Sequence, residues 1–209
     1  MTATPSSPPA RRTTDVVVVG AGLAGSTAAL ALARRGYAVT VVDIHETTPD
    51  RFRVEKLTAA QIALFEELGI DDCLAQVGTS AHDVLVARGG RITERRTIAE
   101  KGLRYASLVD AVRSAWPASV DFIKGMVEDV RTGPRDETVL LRDGQTLSAR
   151  LVIVASGHGE RLRNRLGARK VILKANQSTT LGFDIALPAG SRMAFDGMTI
   201  HGPRAGDHI

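Results

Sequence analysis

A single cysteine, Cys73, stands in 209 residues, so no disulfide can form within the chain. A lone thiol fits a reducing compartment, and the expected location is the cytoplasm; Cys73 itself is expected as a small core residue. Aromatic residues make up only 4%. The net charge of +4 comes from scattered arginines and not from a basic block interleaved with aromatics. That excludes the usual electrostatic footprint of a nucleic-acid binder. No uninterrupted run of 18 apolar residues exists, so no integral membrane span is expected. Arg11-Arg12 ahead of Val16–Ala33 imitates a twin-arginine signal, but Asp15 sits at its start, three glycines interrupt it, and the stretch reads better as strand, turn and helix. The five histidines (His45, His82, His158, His201, His208) have no metal-ligand spacing, and no metal site is expected. There are no internal repeats. The one biased segment, residues 1–12, is rich in Pro, Ser and Thr and reads as a flexible leader.

What is present is periodicity. Asp15–Val19 is a short β-branched run, the signature of a parallel strand buried on both faces. A turn over Gly20–Gly25 leads into an Ala/Leu-rich helix from Leu23 to Arg35, stopped by Gly36. Tyr37–Asp43 is a second buried strand, which completes a βαβ unit with a right-handed crossover. Residues 44–56 are polar and read as irregular. Thr58 is an N-cap for a helix that ends at Leu68 before Gly69. Hairpins are expected around Gly89-Gly90 and Asp143-Gly144, and a helix over Leu103–Trp116 before Pro117. Val120–Lys124, Thr138–Arg142 and Leu151–Ala155 read as strands, as do Thr180–Leu187 and Met198–His201 of a further sheet.

The chemistry-bearing motif is Gly20-Ala21-Gly22-Leu23-Ala24-Gly25. Gly-rich turns are common, so the pattern alone says little; between a buried strand and a helix it says more. Gly20 permits the tight turn, Gly22 lets backbone approach a pyrophosphate, and Gly25 lets helix and strand pack closely. The helix start offers amides and a partial positive charge to phosphate. Ser26, just past the motif, can touch a phosphate or pack in the first helical turn. Asp43 ends the second strand 18 residues after Gly25, near the spacing of about 20 for an acid that accepts from ribose hydroxyls. Its charge would repel a 2′-phosphate, which disfavours NADP at this site. The motif by itself does not separate FAD from NAD. Gly157-His158-Gly159 lacks a third glycine and reads as a turn, not a second nucleotide site.

The opening DVVVVGAGLAGSTAALALARRGYAVTVVD, the segment RFRVEKLTAAQIALFEELGI, the stretch LRYASLVDAVRSAW and the later LVIVASGHGERLRNRLG together resemble the FAD-dependent monooxygenases of the para-hydroxybenzoate hydroxylase type. That resemblance implies an α/β, Rossmann-like FAD/NAD(P)-binding fold: a parallel central sheet, antiparallel β insertions and an incomplete substrate-binding sheet. It implies an FAD-binding domain over 13–79 and 101–168, and a partial substrate domain over 80–100 and 169–209. It places Arg53 near the flavin pyrophosphate and adds Val127, Ser156 and Gly157 to the cofactor site. Two positions depart from the family pattern: Tyr105 stands where many members carry Arg, and Ser156 where Asp is usual. The implied activity uses FAD, NAD(P)H as transient reductant, O₂ and a small organic, possibly aromatic, substrate. Members are longer and carry a Gly-Asp motif in their second half. Here the one candidate is Gly206-Asp207 at the extreme end, so the chain is expected to be an N-terminal half. No catalytic residue is assigned and the oligomeric state is left open. Two alternatives stay open: another flavin oxidoreductase of the same fold, of prenyl reductase or halogenase type, and a non-catalytic nucleotide-binding remnant.

Overall fold

A computed structural model describes residues 12–49, 54–75, 77–175, 181, 185–193, 195 and 197–202. In chain order the elements are β1 (Arg12–Val19), α1 (Leu23–Arg34), β2 (Val39–Asp43), β3 (Val54–Leu57), α2 (Ala59–Leu68), a 3-10 turn (Asp71–Leu74), β4 (Thr79–Arg88), β5 (Arg91–Arg104), α3 (Tyr105–Ser114), β6 (Val120–Lys124), β7 (Val127–Arg131), β8 (Glu137–Leu141), β9 (Thr146–Val154), α4 (Arg161–Arg165) and β10 (Met198–Gly202). They fall into two compact units. One is drawn from Met1–Asp50 and Val109–Ser178, the other from Arg51–Leu108 and Thr179–Ile209. These units are cut at different places from the functional domains expected above.

The first unit is built on a six-stranded sheet in the order β6-β2-β1-β9-β8-β7. β6, β2, β1 and β9 run parallel, while β8 and β7 add antiparallel strands at one edge. Val16–Val19 are all buried. Because side chains alternate along a strand, Val17 and Val19 enter one apolar cluster with Val42, Val139, Leu141 and Leu147, and Val16 and Val18 enter another with Ala29, Ala33, Val39 and Val41. A strand covered on both faces shows no polar alternation, which is why the run is continuously apolar. Burying a valine fully contributes about 1.5–3 kcal/mol, so this strand is a main anchor of the unit. Ala29, fully buried on α1, keeps the helix close to the sheet.

The second unit holds a four-stranded sheet, β10-β4-β5-β3, with β4–β5 and β5–β3 antiparallel and β10 parallel to β4. Gly89 and Gly90 have φ of 54° and 79°, the double left-handed pair that a tight hairpin turn requires. Thr58 and Gln61 form a reciprocal capping box at the start of α2, and Gly69 ends that helix at φ 68°. Cys73 is buried.

Several expectations need correction. The first strand begins at Arg12, not Asp15, because Arg12–Thr14 pair with Leu147–Ala149; residues 1–11 of the expected leader lie outside the described residues. Tyr37 and Ala38 precede β2 and are not part of it, Tyr37 being exposed. Residues 54–57, read as irregular, form β3 against Lys101–Arg104. That pairing carries β5 to Arg104, so α3 starts at Tyr105, not Leu103, and it stops at Ser114, before Trp116. β7 was not anticipated. Of the strand expected over 180–187, residues 181 and 185–187 are not in a strand and the rest lies outside the described residues.

Candidate nucleotide-binding site

The carboxyl ends of β1, β2 and β9 lie side by side, where the strand order passes from β2-β1 to β9. In open α/β sheets the ligand crevice lies outside the carboxyl ends of the strands at such a switch. The turn after β1 fits there only as glycine. Gly20 has φ 107°, and a Cβ on it would sit 2.5 Å from the Ala155 carbonyl oxygen. Its N–H donates to Val42 O at 2.8 Å, which binds the turn to β2 as well. A Cβ on Gly25 would lie 1.8 Å from Gly20 O, so this glycine lets the first turn of α1 close down on the preceding loop. Gly22 is the N-cap in extended conformation, without a side-chain cap, and its carbonyl accepts from Ser26 N at 2.8 Å. Ser26 is fully buried and its hydroxyl donates to Ala21 O at 2.9 Å, so Ser26 packs in the helical turn.

Amides at a helix start lack intrahelical acceptors, and aligned peptide dipoles place about half a positive charge there. The first turn of α1, opening at Leu23 and Ala24, contains no acidic residue that would neutralise this field. Asp43 faces the same turn. Its Oδ2 accepts from Ala21 N at 2.6 Å and its Oδ1 from His45 N at 2.7 Å. A carboxylate offers about four lone-pair positions, so two such bonds leave acceptor capacity for hydroxyl donors.

Val127 opens β7, half-buried, packed against the cluster that contains Val42. The chain leading to it is tied to β2 by Gly125 N donating to Asp43 O at 2.8 Å. On the other side of β1, Ala155 N donates to Val19 O at 2.8 Å and delivers Ser156 and Gly157 beside the glycine turn. Ser156 Oγ is buried and makes no hydrogen bond among the described residues. An orphaned buried hydroxyl of this kind calls for a partner. Gly157 has φ 62° and begins the turn expected there. The structure therefore gathers Gly20–Gly25, Asp43, Val127, Ser156 and Gly157 around one set of strand ends. Arg53 and the Gly206-Asp207 pair lie outside the described residues. Among the described residues, no group of three or more His, Cys, Asp or Glu is placed to hold a metal ion.

Sequence reasoning missed Gly125 and Trp116. Trp116 Nε1 donates to Ser26 O at 3.1 Å, which fastens the start of α1 from the outside. Being the chain's one tryptophan was its only signal.

A glycine cradle that a Cβ would fill, an aimed carboxylate and an orphaned hydroxyl together fit the ADP portion of a dinucleotide. Comparison with known proteins agrees. The family model described as "FAD binding domain" matches residues 13–193. The ubiquinone hydroxylase UbiL of Rhodospirillum rubrum is 26% identical over 182 residues, 76% of this chain and 40% of that protein. Among solved structures, a PqsL variant from Pseudomonas aeruginosa superimposes with a TM-score of 0.68 at 25% identity, over 79% of this chain and 48% of that one. The p-nitrophenol 4-monooxygenase PnpA of Pseudomonas putida gives a TM-score of 0.67 at 19% identity, over 75% of this chain and 44% of its own. The chain thus spans less than half the length of these proteins. No helix among the described residues is long and apolar enough to cross a membrane.

Proposed function

The chain belongs to the FAD binding domain family, and from that premise we propose that it holds the ADP half of FAD between Gly20–Gly25 and Asp43, as the cofactor end of a flavin-dependent monooxygenase. The observation that carries this is the Asp43 carboxylate bonded to Ala21 N, aimed at the turn where α1 starts. A pyrophosphate against the first amides of α1 meets the helix field, and Gly22 admits it without a side chain in the way. Ribose hydroxyls donate to the unused lone pairs of Asp43. Val127 supplies apolar surface beside that carboxylate for the base. Ser156 Oγ and Gly157 meet the cofactor from the β9 side.

When bound, FAD supplies acceptance of hydride from NAD(P)H and activation of O₂ for transfer of one oxygen atom to a small organic substrate. The name of one relative, a ubiquinone hydroxylase, supports a ring of the quinone or phenol type as the substrate class. The residues of this chain bind, orient and exclude water; the chemistry is the cofactor's. The reaction is assigned to the cytoplasm, where NAD(P)H is available.

The test is direct. The purified chain is mixed with FAD, freed of unbound cofactor, and its visible spectrum recorded. Flavin bands are expected. Asp43→Ala is expected to weaken FAD binding by about 1–3 kcal/mol, since it removes charge-assisted hydrogen bonds. Gly22→Val is expected to abolish binding by blocking the backbone approach. Unchanged affinity in both variants would place the cofactor elsewhere. NAD(P)H oxidation and O₂ uptake stimulated by phenolic compounds then separate a hydroxylase from a reductase or a non-catalytic binder.

A further inference from the structure

The segment leaving Asp43 is held from outside the βαβ unit by one face of α3. Asp110 and Arg113 are three residues apart and so project from the same side of that helix. Asp110 Oδ1 accepts from the Thr48 hydroxyl at 2.5 Å, and Arg113 Nη2 donates to Glu46 O. The Arg113 guanidinium lies 5.4 Å from the Trp116 ring centroid and 5.1 Å from that of Phe122, two rings that stack at 6.5 Å. Phe122 belongs to β6 and is paired with Val41 of β2, while Trp116 donates to Ser26 O in the first turn of α1. Lys124, paired with Asp43 across the strands, adds a contact to Glu46 at 3.6 Å. One arginine therefore joins both halves of the cofactor site: the loop that follows the acid, and the aromatic residue that fastens the helix start.

We infer that Arg113, with Asp110 as its assistant, is a positioning residue for the nucleotide. It fixes residues 44–48 on α3 so that His45 N and Ala21 N keep the two carboxylate oxygens of Asp43 directed at the ribose. This rests on the reading of Asp43 as the ribose acid. A guanidinium suits the task because it can lie over aromatic rings while its planar fork donates hydrogen bonds, which an ammonium cannot do. Neither Arg113 nor Asp110 needs to touch the cofactor.

The experiment is a double-mutant cycle on the full chain, read as FAD and ADP dissociation constants, with thermal unfolding in parallel. Arg113→Ala is expected to weaken FAD and ADP alike by about tenfold, the usual size of coupling between residues in one network. In the Asp43→Ala background the same substitution is expected to change affinity less than twofold. Arg113→Lys should restore only part of the loss. Thr48→Val, a near-isosteric change at the far end of the clamp, provides a gentler cut if Arg113→Ala unfolds the protein; it should weaken ADP binding severalfold without lowering the unfolding temperature. Losses that multiply in the double variant would make Arg113 merely structural and overturn the inference. Full affinity in both Arg113→Ala and Thr48→Val, with Asp43→Ala weakened, would overturn it while leaving the ribose acid in place. Full affinity in Asp43→Ala would instead remove the reading beneath it, and the inference with it.

Discussion

In the six-stranded sheet, Val16–Val19 are buried and divided between two apolar clusters, whereas in the four-stranded sheet seven consecutive residues of β5, Arg91–Thr97, are exposed. The first sheet owes its shape to what presses on its two faces. The hairpin part of the second owes its shape to its backbone ladder and to the double-glycine turn at its tip. Substitutions should therefore act by different mechanisms and at different scales in the two.

The largest effect is expected at Gly25. Its missing Cβ would stand 1.8 Å from a backbone carbonyl that cannot swing aside. Gly25→Ala should destabilise the chain by about 3 kcal/mol or more, measured by denaturant unfolding; a near-neutral result would mean that α1 can lift off the turn. Next comes Leu147, 1% exposed within the cluster that Val17 and Val19 share. Leu147→Ala should cost about 2–5 kcal/mol, the range for emptying a packed site. The contrast sharpens at Gly90, which has φ 79° and nothing within 4 Å of the place a methyl group would occupy. Gly90→Ala should cost only about 1–2 kcal/mol, the left-handed backbone penalty alone.

The smallest effect belongs to the exposed Glu94–Arg96 pair, with two hydrogen bonds of 2.6 and 2.8 Å. The hydrogen bond from Arg96, helped by its charge, holds the Glu94 carboxyl below the usual glutamate range. A lowered folded-state pKa means that its contribution is present above the ordinary glutamate pKa and is lost as pH falls through the lowered one. NMR titration of the Glu94 carboxyl should show the depressed midpoint, and Arg96→Ala should return it upward. A midpoint that Arg96→Ala leaves in place would show that the pair does not persist in solution.

The same contrast explains what could be read from the amino-acid sequence. β1, α1 and β2 were legible because burial on both faces leaves an unbroken β-branched run, and because the glycines sit where a side chain would strike backbone. The Gly89-Gly90 hairpin was legible from turn chemistry alone. β3 and β7 were not: Val54-Glu55-Lys56-Leu57 and Val127-Glu128-Asp129-Val130-Arg131 are short and charged, and both are sheet-edge strands that pair on one side only. Of the site, Gly20–Gly25 and Asp43 could be found by spacing. Arg113 and Trp116 could not, because their partners Glu46 and Ser26 are remote in the chain and no local pattern announces a contact made by tertiary packing.

β1 lies between β2 and β9, so Val16 pairs with both Val39 and Leu151. During synthesis β1 leaves the ribosome more than a hundred residues ahead of β9. Until then one rim of the innermost strand is bare, and bare rims of apolar strands recruit foreign ones. Closing so long a loop is slow, and the interval is when such a protein is most open to aggregation. Gly20 reaches its final setting against Ala155 only after that wait.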